Sequence, residues 1–139
     1  MTSDDRMHHI VKRFYDASTT CSLEISEQLG MSQLQVNQIH YLKLIDEHDS
    51  LTFSLMAELL GITKPSVTEI VNKLIRLECV TKTQSPDDGR VYFIELSEKG
   101  RNIARSRALS ENKIIELILK KLDPNEVETF IRLLDKISG

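Results

Sequence analysis

The sequence has no tryptophan, and only five glycines and three prolines among its 139 residues. So few backbone breakers favour long helices over a strand-rich fold. No apolar run approaches the ~20 residues a membrane span needs. The opening Met1-Thr2-Ser3-Asp4-Asp5 also lacks the pattern of a secretory signal. Both observations predict a cytoplasmic protein with no membrane partner. The two cysteines, Cys21 and Cys79, lie far apart and form no metal-ligand spacing. They read as buried or half-buried thiols acting as small hydrophobes. His8, His9, Glu24 and His40 are equally unclustered, so no metal and no cofactor are expected. A phosphate-cradling glycine loop, a nucleophile elbow and an HExxH pair are all missing, which argues against an enzyme. Excess positive charge is missing too. The net charge of -3 and the pI near 5.8 weigh against tight phosphate binding unless the basic residues are gathered locally.

What is present is an ordinary globular composition, 40% hydrophobic and 28% charged, of a length that suits one domain or a compact core with extra helices for a partner. From about residue 5 to 29, Met7, Ile10, Val11, Phe14, Ser18, Cys21, Ile25 and Leu29 recur at the three-and-four spacing of a long amphipathic helix. The stretch Ser18-Thr19-Thr20-Cys21-Ser22 has poor helix propensity and marks a place for a bend or interruption. Gly30 ends this segment, and Ser32 is the candidate N-cap of a second helix burying Leu34 or Val36, Ile39, Leu42 or the stem of Lys43, and Ile45 or Leu44. Thr52 caps a third helix with Leu55, Met56, Leu59 and Leu60, closed by Gly61. Thr63 caps a fourth, with Pro65 in its first turn and Val67, Ile70, Val71 and Leu74 facing inward. Two short helices joined by a tight turn at Gly61 make a helix-turn-helix. Ala57 provides the small side chain that lets them cross closely.

After Glu78 the period changes. Val80–Gln84 and Val91–Leu96 are rich in β-branched and aromatic residues, with the turn signal Ser85-Pro86-Asp87-Asp88-Gly89 between them. They predict a β-hairpin with Tyr92, Ile94 and Leu96 on its packed face. Ser97 then caps a further long helix with apolar positions Ile103, Ile114, Leu117, Ile118 and Leu122; the stretch Arg101 to Asn112 is polar and reads as solvated. Asp123-Pro124-Asn125-Glu126 is a capping box opening a last helix that buries Val127, Phe130 or Ile131, Leu134 and Ile137.

A helix-turn-helix followed directly by a hairpin is a winged-helix arrangement. Ala57-Glu58-Leu59-Leu60-Gly61-Ile62-Thr63-Lys64-Pro65-Ser66-Val67-Thr68 resembles the MarR family of bacterial and archaeal regulators. So do Asp88-Gly89-Arg90, Leu96-Ser97-Glu98-Lys99-Gly100 and Leu122-Asp123-Pro124-Asn125-Glu126-Val127. The resemblance implies a mainly α fold with a small β-wing. Residues 34–100 would form the winged DNA-binding core, and residues 1–33 and 101–139 would supply dimerisation helices. It further implies a homodimeric, sequence-specific regulator of transcription, acting as a repressor on a pseudo-palindrome of double-stranded DNA. Lys64, Ser66, Thr68, Asn72 and Lys73 supply the short polar and basic side chains a recognition helix presents to the major groove, and Glu69 and Arg76 share that helix. Lys82 belongs to the wing. In the family's pattern the wing arginine, here Arg90, enters the minor groove, and Asp88 pairs with it. The plainer reading makes these residues a solvated helix face and a surface ion pair.

Two positions depart from the family. Glu69 stands where a basic residue is common, and Cys79 replaces a glycine, which puts a left-handed backbone there in doubt. Between Thr63 and Arg90, five basic residues face four acidic ones, which predicts modest, salt-dependent affinity. The family's effector, a small aromatic or lipophilic molecule held between the dimerisation helices and the winged core, makes Tyr15, Met31, His40 and Tyr41 candidate pocket residues; packing or exposure is their alternative role. Cys21 is the candidate for a redox-sensing regulator, although no neighbouring Lys or Arg in the sequence activates it. A winged protein-interaction module, with weak or no DNA binding, is the remaining rival and is motivated by the acidic pI.

Overall fold

The computed structural model describes residues 1–139 and groups them into two compact units, residues 26–106 and residues 1–25 with 107–139. No helix is long and apolar enough to cross a membrane.

In the unit of residues 26–106, helix α1 (Ser3–Gln28) ends at Gly30, whose left-handed backbone (φ 66°) leads into a short 3-10 turn, Met31–Gln33. Helix α2 (Val36–Asp46) follows. Its N-cap is Gln35, not the expected Ser32: the Gln35 and Gln38 side chains satisfy each other's backbone N–H groups. Strand β1 (Leu51–Thr52) precedes α3 (Phe53–Leu60) and α4 (Lys64–Arg76), and β2 (Val80–Gln84) and β3 (Tyr92–Leu96) form the hairpin. Helix α5 (Glu98–Ala104) closes the unit. The sheet order is β1-β3-β2, antiparallel throughout, with Leu51 opposite Ile94 and Val80 opposite Leu96. The sequence predicted the hairpin but not β1. A two-residue strand has no periodicity of its own and exists because β3 offers it an edge.

The core sits among α2, α3, α4, α5 and the sheet. Leu42, Leu51, Met56, Val67, Val71, Leu74 and Ile103 have no exposed surface. Each contributes about 1.5–3 kcal/mol by burial. Ala57 is buried at the crossing of α3 and α4, as its size requires. Val36 and Leu59 point outward instead, 72% and 45% exposed.

Both helices of the helix-turn-helix end in the same closure. After α3 the Ile62 N–H bonds the Ala57 carbonyl and the Gly61 N–H bonds that of Glu58, with Gly61 left-handed at φ 65°. After α4 the Cys79 N–H reaches the Leu74 carbonyl, and the Glu78 N–H that of Ile75. These are Schellman motifs. A left-handed turn after α4 therefore exists, but Glu78 adopts it (φ 61°) rather than Cys79.

The stretch after β3 and the end of α4 are then clamped together. Ser97 N–H donates to the Cys79 carbonyl (2.9 Å), its hydroxyl donates to the Glu78 carbonyl (2.6 Å), and the Lys99 ammonium donates to the Leu77 carbonyl (3.0 Å). Ser97 also caps α5 by accepting the Gly100 N–H (3.0 Å). A side chain on Gly100 would put its Cβ 1.9 Å from the Cys79 carbonyl oxygen. The Leu-Ser-x-x-Gly stretch is thus a lock on the C-terminus of α4.

The single helix expected after Ser97 is two. Arg105 leaves helical geometry (φ -103°, ψ 16°) between α5 and α6 (Ser106–Lys121). Its guanidinium grips Asp46, at the end of α2, with two bonds of 2.9 and 3.0 Å. Ile103 and Ala104 are buried against the core, so the stretch read as solvated starts inside it.

The other unit comprises the N-terminal part of α1, α6 from Arg107 onward, and α7 (Pro124–Ser138). Helix α1 runs through Ser18–Ser22 without a break. The Lys113 ammonium binds the Glu24 carboxylate, tying α6 to α1. The Asp123–Glu126 capping box opens α7 as expected. Every buried hydrophobic residue of the chain lies between Leu42 and Ala104, so this unit has no apolar core of its own. Phe14, Ile131, Leu134 and Ile137 are 53%, 55%, 46% and 80% exposed; of the residues expected to be buried on the last helix, Val127 and Phe130 are half-buried and Leu134 and Ile137 stay exposed.

Candidate nucleic-acid interface

Helix α4 presents its polar face because its apolar face is fixed. Val67, Val71 and Leu74 are buried. At 3.6 residues per turn, Pro65, Glu69, Asn72 and Arg76 fall on the opposite side, flanked by Ser66 and Lys73 on one edge and Thr68 on the other. The helix start is well built: the Thr63 hydroxyl accepts the Ser66 N–H (3.3 Å) and meets the Ser66 hydroxyl at 2.9 Å. The Thr68 hydroxyl donates to the Lys64 carbonyl (3.1 Å). The helix dipole at this first turn favours a phosphate.

The wing tip is held by its own side chains. Ser85 Oγ accepts the N–H groups of Asp87 and Asp88, and Gln84 donates to the Gly89 carbonyl (2.8 Å). Asp88 Oδ1 accepts both the Arg90 backbone N–H (3.0 Å) and its Nε (3.3 Å). Arg90 is otherwise free, its side chain 92% exposed. An exposed pair of this kind adds little stability. Its effect is to orient the guanidinium while leaving its terminal nitrogens unpaired.

These elements meet in a groove of about 590 Å³ lined by Thr52, Phe53, Ser54, Lys64, Thr68, Lys82, Arg90, Val91 and Tyr92. Three cationic side chains line it and no carboxylate does. The near balance of charge along Thr63–Arg90 therefore hides local pairing: Glu69 pairs with Lys73 at 3.5 Å and Asp88 with Arg90 at 3.3 Å, and neither carboxylate lines the groove. Of the residues singled out in the sequence, Lys64, Thr68, Lys82 and Arg90 share the groove, while Ser66, Glu69, Asn72, Lys73 and Arg76 are exposed along α4 beside it.

Five groove residues were missed: Thr52, Phe53, Ser54, Val91 and Tyr92. Tyr92, assigned to the packed face, is 37% exposed, with the Lys82 ammonium 5.5 Å from its ring centre. Its alternation with Ile94 and Leu96 is real, but β3 outruns the core at that end. Thr52 was read only as a helix cap and Ser54 not at all, because only the β1–β3 pairing brings the start of α3 to the wing.

The candidate effector residues divide. His40 and Tyr41 line a groove of about 450 Å³ with Leu44, Glu47 and Leu60, whereas Met31 packs on the core. Tyr15 is 72% exposed on α1, in the other unit. Cys21 is half-buried; Cys79 is fully buried, and burial pushes its thiol up, away from the reactive thiolate.

Residues 34–92 match the model of the MarR family. The chain is 23% identical over 137 residues to the HTH-type transcriptional regulator YhbI of Bacillus subtilis, covering 96% of this chain and 89% of that one. It is 28% identical over 105 residues to the transcriptional regulator AdcR of Streptococcus pneumoniae, covering 73% and 71%. Among solved structures, the MepR–DNA complex of S. aureus superposes with a TM-score of 0.64 at 20% identity, over 94% of this chain and 96% of that one. With the helix-turn-helix, the three-stranded sheet and the Asp88–Arg90 tip in place, residues 34–92 match the MarR family, and the chain is similar to HTH-type transcriptional regulators and shares the fold of MepR.

Proposed function

We propose that this protein is a repressor that binds a specific, pseudo-palindromic stretch of double-stranded DNA as a homodimer. The observation that carries the reading is the groove between α4 and the wing, where Lys64, Lys82 and Arg90 converge with hydroxyl groups and without a carboxylate. Such a surface fits a phosphate backbone running from the recognition helix to the wing. Helix α4 would then lie in the major groove, with Ser66, Glu69, Asn72, Lys73 and Arg76 near base edges and phosphates. Arg90 would enter the flanking minor groove, where negative potential is focused. Two copies would place their recognition helices about 34 Å apart, one turn of duplex. Residues 1–33 and 101–139 are the proposed dimerisation segments and residues 34–100 the DNA-binding core. The MepR complex, a similar fold on DNA, supports this reading. Release by a small aromatic or lipophilic ligand belongs to the same proposal, and His40 and Tyr41 are the residues to alter first.

A fluorescence-anisotropy titration against random duplex at low salt, followed by selection of bound fragments from genomic DNA, tests the reading. Binding that weakens steeply with salt and enriches a two-fold repeat is expected. No binding to any duplex at low salt would overturn it in favour of a winged module that docks on protein.

A further inference from the structure

Resting on that reading, we infer that Glu69 and Lys73 act together as a base-reading pair selecting a C·G base pair in each half-site. Glu69 lies on the side of α4 opposite the buried Val67, Val71 and Leu74, one turn from the helix start, where a helix entering the major groove meets base edges. The two side chains, 71% and 53% exposed, hold the carboxylate and the ammonium 3.5 Å apart. An exposed i,i+4 pair stabilises a helix only slightly, so packing does not explain a carboxylate at this position. For phosphate binding alone it is a liability, because it repels the backbone and draws Lys73 away from it. An acceptor and a donor held side by side, however, match one base-pair edge well. The cytosine amino group donates to a carboxylate, and the adjoining guanine O6 and N7 accept from an ammonium. An A·T pair offers the ammonium a single thymine oxygen beside a methyl group, and a reversed pair sets like against like. Glu69 would therefore lower affinity for DNA in general and raise discrimination among sites.

Selection from a randomised duplex library, run in parallel with the full-length protein and its Glu69→Gln variant, tests this. The unaltered protein should enrich a C·G pair at one position of each half-site. Glu69→Gln should lose about tenfold of that preference, shifting it towards adenine, while other positions keep theirs. The same variant should bind random duplex more tightly at equal salt, with an unchanged thermal midpoint. An unchanged preference at every position, with affinity rising equally for all duplexes, would overturn the inference and leave Glu69 a mere charge. An A·T pair at the Glu69-dependent position would overturn it as well. Both outcomes differ from failure of the DNA reading itself, in which the unaltered protein binds no duplex at all and the inference falls with it.

Discussion

Arg90 is almost wholly solvated, yet its direction is set, because one oxygen of Asp88 holds both its backbone N–H and its Nε. Arg90→Ala is expected to weaken binding to a selected duplex about tenfold or more, read by anisotropy at fixed salt. Unchanged affinity would remove Arg90 from the interface. A different residue-scale effect operates at Glu78, whose left-handed backbone strains any residue with a Cβ. That strain is about 1–2 kcal/mol. Glycine relieves it but gives the unfolded chain more freedom, an opposing effect of about 0.4–1 kcal/mol. The strain wins, so Glu78→Gly should raise stability by about 0.5–1 kcal/mol in urea unfolding. A loss of stability would show that the Glu78 side chain contributes more than its backbone strain. The resemblance aligned the family's glycine with Cys79, one residue further on, and put a left-handed backbone there in doubt; a Schellman closure fixes where the left-handed residue falls only once the last helical turn is known.

At the scale of elements, the wing and the recognition helix form one piece because Ser97 and Lys99 bond the carbonyls of Leu77, Glu78 and Cys79. Gly100 permits the approach. Gly100→Ala should cost about 3 kcal/mol or more, since its Cβ meets a backbone carbonyl that no rotamer change can move aside. The urea midpoint measures this, and a variant as stable as the parent would show that α5 can shift away freely. Which boundaries were legible follows from the range of the forces that set them. Thr52, Thr63, Ser97 and Asp123 cap their helices where expected, because a cap needs only the next three residues. Strand β1 and the break at Arg105 were invisible, because each depends on a partner far along the chain, β3 for one and Asp46 for the other.

For the whole molecule, the decisive contrast is between a winged unit with a closed core and a second unit, residues 1–25 with 107–139, without one. Helices α1, α6 and α7 leave Ile10, Phe14, Ile131, Leu134 and Ile137 largely open to water in a single chain. Apolar surface on that scale is what a partner covers, and closed two-fold symmetry is the common way for a second copy to do so. Sedimentation velocity at micromolar concentration should give a species of twice 15.9 kDa. A folded monomer would overturn the dimer. The sequence by itself determined the helix-turn-helix, the hairpin, the capped helix starts and the amphipathic outer helices, because periodicity, caps and turn residues act over a few neighbours. Only the tertiary structure decided that Lys64, Lys82 and Arg90 share one groove free of carboxylates, and that Ser97 and Lys99 lock the end of α4. Those outcomes depend on where segments distant in sequence come to rest against a common core, and a linear reading of charge, nearly balanced between Thr63 and Arg90, contains no information on that.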